Sequence, residues 1–99
     1  MFIYNVTVKI DTDLAADWLS WMQNTHIPDV MATGMFLNHR ICRLLSNDDD
    51  GLTYAIQYEC TDLATLQRYS TQHAPKLQAD HANRYANKYV AFRTVMEVL

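Results

Sequence analysis

Residues 2–10 alternate from the first position. Phe2, Tyr4, Val6, Val8 and Ile10 fall on one side and Ile3, Asn5, Thr7 and Lys9 on the other, which predicts a half-buried strand. Asp11-Thr12-Asp13 offers turn and N-cap chemistry. Leu14, Trp18, Trp21, Met22 and Thr25 then recur at close to helical spacing. Pro28 disfavours helix at Ile27, so this helix should end or kink near His26, with a short turn running on to Gly34 as its C′ residue. Residues 36–45 and 52–60 predict two more strands, with the hairpin turn at Asp48 to Gly51. Thr61 or Asp62 caps a second helix bearing Leu63, Leu66, Tyr69 and His73. Pro75 interrupts it, and helix resumes to about Asn87. The last strand covers 88–98, with Val90, Phe92, Thr94, Met96 and Val98 on one face.

The order is β-α-β-β-α-β. Two βαβ halves joined by a hairpin predict an α+β, ferredoxin-like sandwich, an antiparallel four-stranded sheet with two helices on one face. A faint internal symmetry agrees with it. Thr12-Asp13-Leu14-Ala15 recurs as Thr61-Asp62-Leu63-Ala64, and Thr25-His26-Ile27-Pro28 is echoed by Gln72-His73-Ala74-Pro75.

A four-residue loop at Asn47 to Asp50 sets the hairpin register. It places Asn38, Arg40 and Cys42 opposite Glu59, Gln57 and Ala55 on the face without helices. Ile3, Asn5, Thr7, Lys9, Ala91, Arg93, Val95 and Glu97 are expected to join them there. Antiparallel sheets tolerate water on one side. Yet Ile3, Ala55, Ala91 and Val95 on such a surface predict a homodimer through the open sheet face, which would bury them and pair Arg with Glu.

Length and composition narrow the class. The 99 residues suit one domain over 1–99; 49% are hydrophobic and 19% charged, which excludes disorder. A net charge of −3 argues against nucleic acid as a partner. No apolar run approaches a membrane span, and the start lacks the features of a secretory signal. Cys42 and Cys60 should point to opposite faces of the sheet, so no disulfide is expected and the setting reads as cytoplasmic.

Candidate chemistry rests on histidines and aromatics. His26 and His73 each stand two residues before a proline, and each proline frees a carbonyl, at Asn24 or Thr71. Two readings stay open: a helix-end residue that satisfies the backbone, or an acid/base group, since His titrates near neutrality. Trp18, Trp21, Tyr69, Tyr85 and Tyr89 gather on or beside the helices, as core or as the lining of a ligand cleft. That cleft should be walled by Trp21, Tyr69 and His73. His73 and His81 lie about 12 Å apart along a helix and cannot share a metal. No HxxxH, HExxH or CxxC occurs, Asp48-Asp49-Asp50 lacks the spacing of a calcium loop, and two glycines cannot build a phosphate loop. No metal or cofactor is expected.

The segments YNVTVKI, HIPDVMATGMF, HAPKL and KYVAFRTVMEV resemble a family of small bacterial proteins known as a domain of unknown function. The resemblance spans nearly the whole chain and implies a ferredoxin-like fold without an established activity. The layout is similar, more loosely, to the dimeric α+β barrel superfamily. That group includes antibiotic-biosynthesis monooxygenase-like, EthD-like and stress-responsive barrel proteins, which bind ligands between helices and sheet. Haem-degrading members use an Asn on the first strand with a Trp and a His on the second helix. Here Asn5 is present, but the second helix lacks Trp, and Tyr69 and His73 are spaced differently, so that triad does not carry over. The Trp-rich first helix followed by His26-Ile27-Pro28 is more similar to EthD-like sequences.

Together these features predict a homodimeric barrel protein that binds a small apolar or aromatic molecule between helices and sheet. His26 and His73 are its candidate catalytic residues and Trp18, Trp21, Tyr69 and Tyr85 its candidate ligand-binding residues. The alternative is a non-enzymatic interaction or regulatory module whose histidines only shape the helices.

Overall fold

The computed structural model describes residues 1–45 and 50–99. The elements are β1 (Phe2–Ile10), a 3-10 turn (Thr12–Leu14), α1 (Ala15–Trp21), a π-helical turn (Met22–His26), α2 (Ile27–Ala32), β2 (Asn38–Arg43), β3 (Leu52–Cys60), α3 (Leu63–Gln72), α4 (Ala74–Arg84) and β4 (Tyr89–Glu97). The sheet is antiparallel in the order β2-β3-β1-β4. This is the α+β ferredoxin-like arrangement that the βαββαβ order predicts. The tip of the β2–β3 turn, including Ser46, Asn47, Asp48 and Asp49, lies outside the described residues. The pairing beside it is set as expected, with Cys42 opposite Ala55 and Asn38 opposite Glu59. Both thiols are free, Cys42 exposed and Cys60 buried.

The core forms between the helices and one face of the sheet. Tyr4, Val8 and Ile10 of β1 and Tyr54, Ile56 and Tyr58 of β3 are buried there, and the helices close over them with Trp18, Met22, Ile27, Leu66 and Tyr69. The period of two on β1 and β3 thus reads out directly as inside and outside.

β4 departs from the expected facing. Val6 pairs with Arg93 and Val8 with Ala91, so Ala91, Arg93, Val95 and Glu97 share the helix side. Val90, Phe92, Thr94 and Met96 occupy the open face. A bond from Asn5 Nδ2 to Thr94 Oγ1 at 3.3 Å confirms this phase. The expectation had placed Ala91, Arg93, Val95 and Glu97 on the open face. The more apolar half of this edge strand instead faces away from the helices, and Val90 and Phe92 are 69% and 60% exposed.

The two His-x-Pro segments also resolve differently from each other. The regular α-helix is interrupted just before Pro28, near His26 as expected, but the chain stays helical through the interruption. The chain widens into the π turn just before the proline, where the Ile27 N–H donates to the Met22 carbonyl, and helix continues as α2 with Pro28 in its first turn. Gly34 then adopts φ +77°, the left-handed C′ geometry that glycine accommodates without strain. At Pro75 the helices do separate. His73, at φ −124°, joins the end of α3 to the start of α4. The α3 cap is Asp62, whose Oδ1 accepts from the Thr65 N–H at 2.7 Å. Asp11 makes no such side-chain cap at the first helix.

Ile56 is fully enclosed at the centre of the sheet. Ile56→Ala should lower unfolding free energy by about 2–5 kcal/mol, through lost transfer energy and a residual cavity. Urea titration of the two proteins measures it; a change near zero would mean the core collapses freely around the site.

Candidate functional site

The helix layer leaves a cleft over the sheet. Its floor is Tyr4, Val6, Val8, Ile56, Tyr58, Ala91 and Arg93, and its walls are Met22, His26, Val30, Tyr69, Leu77, Gln78 and His81. The cavity measures about 40 Å³, room for roughly three waters at 10–15 Å³ each.

One wall is a stack of nitrogen heterocycles. The π turn presents His26, whose ring stacks on Trp21 at 4.9 Å and lies 5.8 Å from the ring of His81. His81 comes from the apolar face of α4, where Leu77, His81 and Tyr85 follow one another at helical spacing and are all buried. The Trp18 indole N–H donates to His81 Nε2 at 2.9 Å. Indole nitrogen only donates, so Nε2 must carry a lone pair. His81 is therefore neutral, with its proton on Nδ1. Burial, reinforced by His26 and Arg93, holds its pKa down to about 4. Burial also lowers His26, against the opposing fields of Asp29 and Asp80.

The floor and the remaining wall bring in phenols. Tyr4, Tyr58 and Tyr69 pack around Phe36, with Tyr4 and Tyr69 centroids 5.7 Å apart. Their hydroxyls have no hydrogen-bond partner among the described residues, and none is sealed from solvent. Burial pushes Tyr58 and Tyr69 well above the usual phenol range, so both stay protonated and can donate. Arg93 brings the formal positive charge of the lining, at the β4 edge.

The residues singled out from sequence are distributed as follows. His26 and Tyr69 line the cleft. Trp21 backs His26, and Arg84 lies over its ring at 5.5 Å. Trp18 is fully buried behind His81. Tyr85 sits outside the lining and ties α4 to α1: its hydroxyl donates to Asp17 at 2.7 Å and accepts from Arg84 at 3.2 Å. His73 is not in this cleft. It lines a separate outer groove with Asp29, Thr33, Gln72, Lys76 and Leu77. The sequence reading omitted His81, Arg93, Tyr4 and Tyr58 from the site. A histidine in the middle of the apolar stripe Leu77-His81-Tyr85 was the available signal, because such a ring needs a buried partner. Among the described residues, no group of three His, Cys, Asp or Glu side chains could hold a metal ion, and no helix is long and apolar enough to cross a membrane.

Solved structures share this fold. An EthD-family protein from Bacillus halodurans superposes with a TM-score of 0.70 at 14% identity, covering 100% of both chains. A dimeric ferredoxin-like protein from an uncultured marine organism gives 0.74 at 8% identity, covering 100% of this chain and 95% of that one. SnoaB, a cofactor-independent oxygenase from Streptomyces nogalater, gives 0.63 at 15% identity, over 99% and 93%. At these identities the likeness is one of fold. Residues 1–99 match the family described as domain of unknown function DUF4286, and the chain belongs to that family. No curated protein matches the sequence.

The buried neutral His81 fixes a pH dependence. Its pKa is about 4 when folded and about 6.5 when unfolded, so below 6.5 the unfolded chain binds more protons. Its contribution is fully present above pH 6.5 and is lost as pH falls toward 4. Melting temperature should fall across that window. Trp18→Phe, which removes the N–H that holds Nε2 unprotonated, should raise the His81 pKa in an NMR titration. An unmoved pKa would show that the indole bond does not set the tautomer.

Proposed function

We propose that this protein is a homodimer that binds a small, largely apolar or aromatic molecule in the cleft between helices and sheet. The observation that carries the reading is the pairing of two imidazoles, His26 and His81, in a cleft lined also by three phenols without partners among the described residues. Apolar walls with a few convergent polar groups are the usual make-up of a small-molecule site. The roles differ between the two rings. His81 Nε2 is occupied by Trp18, which leaves its Nδ1–H as a donor. His26 has no hydrogen-bond partner among the described residues, is neutral above its lowered pKa, and is the ring free to accept a proton. The chemistry this supports is proton transfer from a bound ligand to His26. His73, a candidate from sequence, stands apart in its outer groove and takes no part in this reading. Two free thiols suit a reducing, cytoplasmic setting.

The cleft's narrowness favours a second reading. At about 40 Å³ it admits the end of a ligand, and a larger body must displace Met22 or Gln78. If those side chains stay in place, the protein is an interaction or regulatory module with a filled core. A thermal-shift screen separates the two. Compounds that bind the cleft should raise the melting temperature of the wild type, and His26→Ala and Tyr69→Phe should each reduce that rise by at least half. Hits that keep their full effect in both variants would sink the cleft as the site.

The dimer is supported by the open face of the sheet. Phe92 and Val90 stand exposed there beside Met96 and Ile3. At its centre Asn5 is buried, its Nδ2 donating to Thr7 and Thr94 hydroxyls while Oδ1 has no partner. Reversing the amide would only transfer the deficit to the nitrogen. An unpaired buried polar atom costs about 1–3 kcal/mol, while a second sheet packed on this face would cover Val90, Phe92, Met96 and Ile3. Light scattering should give twice the monomer mass, and Phe92→Glu should return the protein to monomer with its helical content intact. A wild type that stays monomeric at tens of micromolar would overturn the dimer.

A further inference from the structure

The cleft carries an electrostatic signature that a purely apolar site would lack. Arg93 is the charged residue in its lining, and no carboxylate lines it. Arg93 makes no hydrogen bond or ion pair among the described residues. It lines the same cleft as Tyr69, His26 and His81, and its field acts on all three. The other polar side chains of the lining are donors or can become donors: the hydroxyls of Tyr4, Tyr58 and Tyr69, the Gln78 amide, the His81 Nδ1–H, and His26 once it has taken a proton. The acids nearest by field, Asp29 and Asp80, act on His26 from the helices and lie outside the lining. A fixed cation with several uncharged donors, in a space the size of a few waters, is complementary to one ionised oxygen-bearing group and not to a neutral or cationic one.

We propose that the ligand of this cleft bears a single ionised oxygen group on a small apolar or aromatic body, and that Arg93 selects it. This rests on the cleft being a ligand site and adds the chemical class. Phenolate, enolate and carboxylate share the required chemistry. In the first two, the negative charge develops when His26 takes the ligand's proton. The electron pair stays on the ligand oxygen, facing Arg93 and the phenol donors.

The probes are 4-nitrophenol, benzoate and benzyl alcohol, followed by the ring-proton NMR signals of His26 and His81. Bound 4-nitrophenol should ionise at a lower pH than free 4-nitrophenol, seen as phenolate absorbance appearing on addition of protein. Arg93→Gln should weaken binding of the anionic probes about tenfold, the scale of losing one charge-assisted hydrogen bond, and leave benzyl alcohol unchanged. Arg93→Lys should restore part of the loss, and added salt should weaken anion binding only. Binding of benzoate without 4-nitrophenolate, or the reverse, identifies the ligand group as carboxylate or phenolate, and either supports the proposal. Equal binding of anion and alcohol, or an Arg93→Gln variant that retains anion affinity, overturns the proposal while leaving the cleft as a ligand site. Failure of all three probes to move the His26 and His81 signals overturns the cleft reading itself.

Discussion

The hydrogen bond from Trp18 to His81 joins the two halves of the helix layer. Trp18 is the largest fully buried side chain and sits on the first helix; His81 sits on the last. Burying an indole N–H without a partner would be costly, as would burying an imidazole with both nitrogens unpaired. Each removes the other's deficit. The same bond fixes the His81 tautomer and keeps the ring uncharged in a low-dielectric wall. It thereby decides which imidazole of the cleft is committed and which is free. The outer clasp of Asp17, Tyr85 and Arg84 holds the same pair of helices at the surface, so the depth of the cleft is set from both sides.

The π turn supplies the second constraint. A proline at position 28 leaves an acceptor unfilled four residues back in a regular α-helix. Widening by one residue before Pro28 lets the helix run on, and Met22 and His26, at the two ends of the π turn, both line the cleft. The same His-x-Pro spacing at 73–75 yields a true break, because His73 leaves helical geometry there. Local sequence similarity thus produced two geometries, and only one of them faces the cleft.

Much of the fold was legible because its strands and helices obey their periods. β1 and β3, central in the sheet, alternate cleanly, and the β2–β3 register followed from counting. β4 did not yield its facing to the same logic. Its more apolar half, Val90, Phe92 and Met96, points away from the helices, while Arg93 points toward them. A rule that sends the apolar side inward fails when a strand has two faces with different kinds of partner. One consequence was that Arg93 was assigned to the wrong face and missed as part of the cleft. His81 was missed for a related reason: a histidine within an apolar stripe was weighed as a metal ligand and set aside, when its spacing with Leu77 and Tyr85 placed it inside and demanded a donor such as Trp18.

These two misreadings have a common physical root that bears on how the site is built. The cleft lies where the helix layer stops short of covering β4, so its floor passes from fully buried Ile56 through half-buried Ala91 to exposed Arg93. An edge strand can carry a charge on its inner side only where that side opens to water or to a ligand. The arginine would otherwise bury an unpaired cation against Val6 and the tyrosines, at a cost far above what the fold could offset. Its position therefore leaves one end of the cleft open and positive, while the Trp18 bond to His81 holds the other uncharged. The lining thus passes from the exposed Arg93 of β4 past Val6 of β1 to the buried His81 of α4 above the sheet.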